Sequence, residues 1–260
     1  MKEGQPSQTA AMVAFLRALA ELGVTSAKGF HDPTARHLLP NRWAWFLSLA
    51  ERRLRKANPT ALTAAKHGVD LLALRTLIID AEVKEALAAG VKQLVILGAG
   101  LDGRPYRLAE LSTVRVFEVD HPATQAWKKD RVKVFTRAAA SVTFVPVNFE
   151  RDSLDAELER AGHRKDEPTV WIWEGVVMYL TEAALRSTLA VVGARSAAGS
   201  SLILNYHTQQ RARGMALLLR FWREPQMNFQ SPEQMAALLK EAGFKVKSES
   251  GVGEWAQRFE

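Results

Sequence analysis

Cysteine is absent from the 260 residues of this sequence. Disulfide bonds, a thiol nucleophile and cysteine-based metal sites are therefore excluded, and a cytoplasmic location is favoured. No apolar run reaches the ~18 residues that a membrane-spanning helix needs. Glu3 before the apolar stretch Ala10–Leu16, and Arg17 after it, argue against a signal peptide. Zinc-finger spacings and aromatic-basic repeats are missing too, so we expect no nucleic-acid, membrane or metal partner.

Positive charge is in excess, with 35 lysines and arginines against 28 acidic residues, a formal net charge of +7 and a pI of about 9.8. The cations are dispersed, and their one dense patch, Glu51–Lys56, is typical of the solvated face of a helix. With 47% hydrophobic and 24% charged residues, the composition is that of a globular protein. The length fits one large α/β domain with an accessory segment.

The first third of the sequence has helical periodicity, and strands alternate with helices from Val91 onwards. Early helices are predicted at Thr9–Leu22, Trp43–Lys56 and Ala61–Ala89. Strands are predicted at 91–97, 114–119, 142–147, 169–173 and 201–206, separated by helices at 104–111, 122–137, 151–161 and 181–192. The last elements are helices at Arg213–Trp222 and Ser231–Ala242, a strand at Phe244–Ser250 and a short strand after Gly253. This pattern predicts a doubly wound, mostly parallel seven-stranded sheet, with residues 1–90 as a helical lid on a core of residues 91–260.

The strand predicted at Val91–Leu97 runs directly into a glycine-rich turn. The strand is a short apolar run rich in branched residues, which is typical of a buried parallel strand. At Gly98 and Gly100 the backbone can turn tightly, and a ligand can approach it without meeting a Cβ atom. Together with Gly103 these residues satisfy G-x-G-x-x-G, and Asp120 follows about 20 residues later, so a cofactor-binding loop is predicted.

Asp102, inside this loop, leaves two cofactor classes open. A pyrophosphate would need backbone N–H groups at this point and no anion. A carboxylate suits a cofactor with a nearby cation, such as the ammonium and sulfonium of S-adenosylmethionine. Asp102 could equally cap the following helix, which begins with Arg104 and Pro105.

Polar side chains follow the predicted strands, at the edge where doubly wound sheets bind their ligands. The strand ends carry Gly98–Gly100, Glu118 and Asp120, Asn148 and Phe149, Glu174 and Gly175, and Asn205, Tyr206 and His207. Asp120 can accept hydrogen bonds from both hydroxyls of a ribose, and Glu118, on the same strand face, is the fallback. Asn148 can accept from an adenine amino group, and Phe149 can lie on the adenine ring.

Six short motifs occur in order over roughly residues 28–207, namely HDPTARHLL, LRTLIID, GAGLDGRPYRL, FEVDHPATQAWK, FVPVNFE and WEGVVMYLT. Together they resemble the leucine carboxyl methyltransferase-like family of class I S-adenosylmethionine-dependent methyltransferases, in particular its bacterial branch. The resemblance implies a Rossmann-like fold, S-adenosylmethionine as methyl donor, S-adenosylhomocysteine as product, and no metal.

The resemblance also implies which residues would bind the cofactor. Arg75 of LRTLIID would pair with the cofactor carboxylate, a role that suits a bidentate guanidinium; without the resemblance it would be interpreted as a surface arginine. The other implied positions are Gly98 along the cofactor, Asp120 at the ribose, Asn148 and Phe149 at the adenine, and Glu174 at the methionine end. Gly100 and Asp102 complete the candidate loop.

Two positions depart from the family pattern. Gly103 stands where the family usually has threonine, which would loosen the loop. Asn148 stands where aspartate is usual, and its uncharged oxygen would bind adenine more weakly.

Methyl transfer from a sulfonium is an in-line displacement, so most of the catalysis can come from positioning. An acceptor carboxylate is already ionised near pH 7 and needs no general base, whereas an acceptor hydroxyl would be helped by one, with His207 and Tyr179 as candidates. His31 and Arg36 of the lid could touch the acceptor. Aromatic residues could line an acceptor pocket or belong to the core, namely Trp43, Trp45, Phe46, Phe221 and Trp222.

We therefore expect an O-methyltransferase that acts on a carboxylate or hydroxyl of a small molecule or a peptide terminus. Two other classes stay open. The first is an NAD-dependent oxidoreductase, on the literal glycine pattern, and the second is a non-catalytic S-adenosylmethionine-binding protein with the same fold. The sequence does not predict the oligomeric state.

Overall fold

The structure, a computed structural model, describes residues 7–55, 60–149, 151–208 and 228–260. Its strands are β1 (Gln93–Leu97), β2 (Arg115–Asp120), β3 (Ser141–Pro146), β4 (Thr169–Trp173) and β5 (Ser201–Leu204). Its helices are α1 (Gln8–Leu19), α2 (Ala35–Leu38), α3 (Asn41–Arg55), α4 (Thr60–Ala88), α5 (Arg104–Arg107), α6 (Pro122–Arg131), α7 (Leu154–Arg160) and α8 (Glu182–Ala194), followed by Pro232–Glu241 and Val252–Phe259.

Several helices begin at a side chain that satisfies their first backbone N–H groups. Ser7 caps α1, Ser153 caps α7 and Thr181 caps α8, and each accepts a hydrogen bond from a first-turn N–H. Ser231 and Gln234 form a reciprocal capping box at the start of Pro232–Glu241. None of the helices that the structure describes combines the length and the apolar character needed to cross a bilayer.

Five parallel strands form one sheet in the order β3-β2-β1-β4-β5. In the central strand β1, Leu97 lies beside Val119 of β2 and beside Trp173 of β4. The strand order reverses between β1 and β4, so this pair marks the switch point where such sheets bind ligands. Gly98 and Glu174, which follow Leu97 and Trp173 in the chain, therefore meet at the carboxyl edge of the sheet.

Two apolar layers cover the sheet because side chains alternate between its faces along each strand. Ile96 of β1 clusters with Ile79 and Val83 of α4 on one face. Leu97 clusters with Leu189 of α8 on the other face. Strands β1 and β4 are buried along their whole length, which explains why both appear in the sequence as continuous apolar runs.

The N-terminal helices form a third apolar cluster that reaches the loop after β1. Leu38, Leu47 and Val69 belong to this cluster, and so does Leu101 of the loop. A Cβ atom added at Gly100 would lie 3.2 Å from the Cβ of Ala10, so α1 covers the loop directly. The division of the chain at residue 90 stays a prediction, since α4 packs against both α1 and the sheet.

The described residues contain five strands, and the seven-stranded sheet is not confirmed. Phe244–Ser250, predicted as a strand, is irregular, and Val252–Phe259 is a helix where a last strand was predicted. Trp255 and Phe259 of this helix pack against the N-terminal cluster, so burial of one aromatic helix face prevails over the local strand signal. The helix predicted at Arg213–Trp222 lies outside the described residues.

Candidate functional site at the carboxyl edge of the sheet

The loop after β1 holds two glycines in the left-handed region that favours glycine. Gly98 has a φ of 66° and Gly100 a φ of 47°. A Cβ atom at Gly98 would lie only 2.2 Å from Cγ2 of Val176, which follows β4. Glycine is therefore required at position 98 both for the turn and for the close approach of the segment after β4.

Asp120 is the last residue of β2 and lies against the glycine loop. One carboxylate oxygen, Oδ2, accepts a hydrogen bond from the backbone N–H of Gly100, and Oδ1 accepts from the N–H of His121 at 2.5 Å. Burial raises the pKa of Asp120, and these two N–H groups oppose the rise. Each oxygen keeps a lone pair for a further donor, so the geometry is compatible with the predicted ribose contact.

Glu118, the fallback candidate for the ribose, is not available for that role. Its carboxylate pairs with the ammonium of Lys128 on α6 at 2.8 Å, and both side chains are only 1% exposed. Spacing along β2 predicted which face Glu118 occupies, but it did not reveal a buried lysine beneath the strand.

The buried Glu118–Lys128 pair predicts that stability depends on pH. Burial raises the pKa of Glu118 from 4.5 to about 7, and the Lys128 cation offsets only part of the rise. The folded chain therefore binds this proton more tightly than the unfolded chain. The contribution of Glu118 to stability falls as the pH rises from 4.5 to about 7, by about 3 kcal/mol at most.

Urea denaturation of the wild type and Glu118→Gln at about pH 5 and about pH 8 measures this effect. Glutamine has the shape of the protonated acid and does not titrate. The variant should therefore gain stability relative to the wild type at the higher pH. An unchanged difference between the two proteins would contradict the expected titration of Glu118.

Arg75 of α4 and Glu174 form an ion pair at the switch point. Arg75 Nε lies 2.8 Å from Oε1 of Glu174, and Oε2 accepts from Arg104 Nη1 at the same distance. Burial alone would raise the pKa of Glu174, but the two arginines lower it to about 2. The structure thus brings together two predicted residues that are 99 positions apart in the chain, with Glu174 fully ionised near neutral pH.

Asp102 is engaged by Arg104. Its Oδ1 accepts from the backbone N–H of Arg104 at 2.7 Å, and its Oδ2 lies 2.5 Å from Arg104 Nη1. Burial would raise the pKa of Asp102, but Arg104 and Arg17 hold it well below its usual range. Asp102 lies one residue before Gly103, the N-cap residue of α5, and it accepts from the first backbone N–H of that helix. A direct role of Asp102 at the cofactor stays a prediction.

Arg104 is the central cation of this site, and sequence reasoning assigned it no role. Its side chain is 0% exposed and contacts carboxylates from three elements, Asp80 at 2.6 Å, Asp102 at 2.5 Å and Glu174 at 2.8 Å. Burial alone would lower the pKa of Arg104, but the three carboxylates raise it. The motifs around Asp80 and Arg104 were visible in the sequence, but neither motif shows that its charged residue is buried.

The same network reaches the N-terminal segment through Asp32, which is 0% exposed. Arg107 Nη1 lies 2.7 Å from Asp80 Oδ2, and its Nε lies 3.7 Å from Asp32 Oδ1. Arg17 contacts Asp32 at 3.5 Å and donates a 2.6 Å hydrogen bond to the carbonyl of Leu101. The HDPTARHLL motif therefore anchors the helical segment to the loop after β1.

The predicted adenine residues follow β3 at the same edge of the sheet. The N–H of Val147 donates to the carbonyl of Asp120 at 2.9 Å, which places Asn148 and Phe149 beside the end of β2. Phe149 is partly buried against the α8 face of the sheet. The contact of these two side chains with adenine stays a prediction.

The two candidate bases lie after β4 and β5. Tyr179 closes the short turn Val177–Tyr179 that follows Glu174, and His207 follows β5. Between them, Asn205 Oδ1 accepts from the N–H of Gly175 at 2.6 Å, so it ties the two strand ends together. The role of Tyr179 or His207 as a general base stays a prediction.

Three of the aromatic candidates lie on α3, where Phe46 contacts both Trp43 and Trp45, with ring centroids 6.4 Å and 5.0 Å apart. Trp43 packs on Phe15 of α1, with ring centroids 5.2 Å apart. Trp45 is 62% and Phe46 38% exposed, so both rings lie at the surface of α3 instead. Two further candidates lie outside the described residues, namely Phe221 and Trp222.

His31 and Arg36 of the lid already have acidic partners. His31 Nδ1 lies 3.0 Å from Glu21, and Arg36 lies 3.5 Å from Glu51. Their contact with an acceptor stays a prediction.

Residues 10–193 match the family model described as leucine carboxyl methyltransferase. A provisionally named S-adenosyl-L-methionine-dependent methyltransferase of Mycolicibacterium smegmatis is 34% identical over 222 residues, which cover 83% of this chain and 71% of that protein. A protein of Streptomyces coelicolor with the same provisional name is 39% identical over 132 residues, 50% of this chain and 46% of that protein. The chain thus spans about half the length of some of the curated relatives it matches.

A similar fold occurs in a solved O-methyltransferase family protein from Burkholderia thailandensis. The match has a TM-score of 0.51 and 16% sequence identity, and it covers 90% of this chain and 79% of that chain. At this identity the likeness concerns the fold alone.

Proposed function

Because the chain belongs to the leucine carboxyl methyltransferase family, we propose that it transfers the methyl group of S-adenosylmethionine to a carboxylate or hydroxyl oxygen of a small molecule or peptide terminus. The observation that carries the proposal is the meeting of Asp120, Gly100, Arg75 and Glu174 at one edge of the sheet. The donor would supply an electrophilic methyl group on its sulfonium. The protein would have to position the donor and the acceptor and, for a hydroxyl acceptor, provide a base.

The charges at the switch point fit the amino-acid end of the donor. Arg75 presents a guanidinium and Glu174 a carboxylate side by side. These are complementary to the carboxylate and the ammonium of an α-amino acid. Arg75 and Glu174 pair with each other, and Glu174 also accepts from Arg104. A donor carboxylate at Arg75 and a donor ammonium at Glu174 would replace the Arg75–Glu174 pair by two ion pairs, without leaving a buried charge unpaired.

The glycine loop supports this donor over a dinucleotide. A pyrophosphate needs free backbone N–H groups at the loop, but the Gly100 N–H already donates to Asp120 and the Arg104 N–H to Asp102. A ribose diol needs acceptors instead, and the Asp120 carboxylate provides them. These contacts favour the methyl donor over NAD.

The residues of this chain would act mainly by positioning. Asp120 would hold the ribose while Arg75 and Glu174 hold the other end, which fixes the direction of the transferable methyl group. A carboxylate acceptor would attack without a base. A hydroxyl acceptor would lose its proton to a base as the bond forms, and His207 and Tyr179 are the candidates for that role.

Asp120→Ala tests the ribose contact. Loss of two hydrogen bonds to an ionised acceptor removes about 3 kcal/mol of binding free energy, so the dissociation constant of S-adenosylhomocysteine should rise roughly 100-fold. Isothermal titration calorimetry measures this constant. Asp130→Ala, at an exposed carboxylate paired with Lys133, is the matched control and should bind like the wild type. Equal affinities for all three proteins would contradict the assignment.

A transfer assay with methyl-labelled S-adenosylmethionine and bacterial extract tests the activity, with mass spectrometry to identify the methylated group. A product methylated on oxygen supports the proposal, and one methylated on nitrogen or carbon contradicts the oxygen acceptor. Donor binding without transfer in any extract would indicate the non-catalytic alternative. Thermal stabilisation by NAD, with none by S-adenosylmethionine, would indicate the oxidoreductase.

A further inference from the structure

One face of α3 carries surface residues that neither the core nor the candidate site uses. Residues at spacings of three and four along this helix share a face. The α3 stripe is defined by six such residues, Arg42, Trp45, Phe46, Leu49, Arg52 and Arg53. Arg42, Arg52 and Arg53 are exposed, Trp45 is 62% exposed, and Leu49 is half-buried. Aromatic rings thus occupy the middle of the stripe, with arginines at both ends.

The two aromatic rings of the stripe are exposed to solvent, Trp45 to 62% and Phe46 to 38%. Trp45 and Phe46 meet edge to face with centroids 5.0 Å apart, and the guanidinium of Arg42 lies 5.8 Å from the Phe46 centroid. The opposite side of the helix is buried in the N-terminal cluster through Leu47 and Ala50. The helix is therefore held on one side and presents its aromatic side outwards.

Cations outnumber acidic residues along α3, with four arginines against the single Glu51. Within the described part of the chain, no carboxylate forms an ion pair with Arg42, Arg52 or Arg53. Glu51 is the one acidic residue in the sequence of α3, and it lies beside Arg36 at 3.5 Å. Arg131 adjoins the start of the helix, 3.1 Å from Asn41. The surface therefore complements an anionic partner.

We propose that the α3 stripe docks this protein on an anionic lipid surface. A helix with aromatic residues and cations on its outer face lies in the plane of a membrane interface, with rings at headgroup level and arginines at lipid phosphates. A protein partner would need a complementary groove to receive the exposed rings, whereas a bilayer accepts them without a preformed shape. The contact is peripheral, and it departs from the sequence-based expectation of no membrane partner.

Sedimentation with vesicles tests the proposal. The full chain should bind vesicles of phosphatidylcholine with about one quarter phosphatidylglycerol, and it should bind pure phosphatidylcholine far more weakly. Each arginine near an anionic surface changes the partition constant about fivefold. Arg52→Ser with Arg53→Ser should therefore weaken binding about 25-fold at low salt, and Trp45→Ser should weaken it at every salt concentration.

The control is Lys165→Ser with Lys245→Ser, which removes two exposed cations far from α3 in the sequence and should retain binding. Thermal melts of every variant verify the fold. An equal loss of vesicle binding in this control variant would show a general effect of net charge, and it would overturn the assignment to α3. Binding to soluble polyglutamate as tight as to the vesicles would overturn it as well, because the partner would then be an acidic polypeptide. Absence of binding to anionic vesicles at low salt would also refute it.

Discussion

Replacement of Arg104 by methionine should lower the free energy of unfolding by about 3–5 kcal/mol, because removing one partner of a buried ion pair leaves uncompensated charge. The guanidinium is 0% exposed and is shared by Asp80, Asp102 and Glu174. Methionine fills a similar volume without charge. Arg107 and Arg75 remain, but neither contacts Asp102. Urea denaturation near neutral pH measures the loss.

The same variant should respond differently to acid. In the wild type, arginine partners lower the pKa of Glu174 from 4.5 to about 2. A carboxylate with a depressed pKa stabilises the fold above its unfolded value, and this stabilisation is lost as the pH falls through the folded value. The variant lacks part of this contribution. Its deficit relative to the wild type should therefore shrink as the pH falls from 4.5 towards 2.

Arg186→Met is the matched control. Arg186 also contacts two carboxylates, those of Glu182 and Glu241, but these three side chains are 47%, 64% and 61% exposed. Solvent screens such surface pairs, so the denaturation midpoint should hardly change. If both arginine variants lost the same stability, burial of the charge network would not be what makes Arg104 important.

Most of the sheet could be predicted from the sequence because its central strands are buried on both faces. β4 was predicted with its observed bounds, Thr169–Trp173, and the ends of the other strands differ by at most two residues. The helix predicted at 104–111 is shorter, since α5 ends at Arg107 and Ala109–Thr113 forms a 3-10 turn. The helix predicted at Ser231–Ala242 is confirmed, but the two strands predicted after it were wrong. Val252–Phe259 is a helix held by tertiary packing, which a local pattern does not contain.

The candidate-site residues that could be predicted from the sequence are those that lie at the ends of strands. Asp120 and Glu174 could be found because parallel strands deliver their carboxyl ends to one edge. Arg75 came only from the resemblance, since it lies on a helix with no signal of its own. Arg104 and Asp32 could not be found in this way. Their partners come from distant elements, and a charged residue in a sequence does not show whether its charge is buried.

Replacement of Gly103 by alanine should cost about 1–3 kcal/mol of stability, as overpacking does in a close-packed interior. Gly103 has φ −99° and ψ −1°, which any residue adopts, so the cost is steric. An added Cβ atom would lie 1.7 Å from Thr34 Oγ1 and 2.9 Å from Thr34 Cβ. Rotation of Thr34 would not remove the second contact, and it would break the 2.6 Å hydrogen bond from its hydroxyl to Asp32.

Gly253→Ala is the control for this substitution. Gly253 is the second residue of a helix, whereas Gly103 is the N-cap residue of α5, and nothing lies within 4 Å of a Cβ atom added at Gly253. Alanine there should stabilise the helix by about 0.5–1 kcal/mol. Thermal or urea melts of the two variants should therefore shift in opposite directions, and a shift in the same direction would contradict the steric account.

The substitution Thr34→Gly tests whether contact with the Thr34 side chain is what destabilises alanine at position 103. In the double variant the added methyl group at position 103 has room, so Gly103→Ala should cost less on the Thr34→Gly background, with a coupling of about 1–2 kcal/mol in the double-mutant cycle. Additive effects of the two substitutions on the free energy of unfolding would contradict the steric account. The sequence predicted that glycine at position 103, in place of the usual threonine, loosens the loop. In the structure the side chain of Thr34, in the N-terminal segment, fills the space beside Gly103. Glycine at position 103 therefore leaves the room that threonine at position 34 occupies.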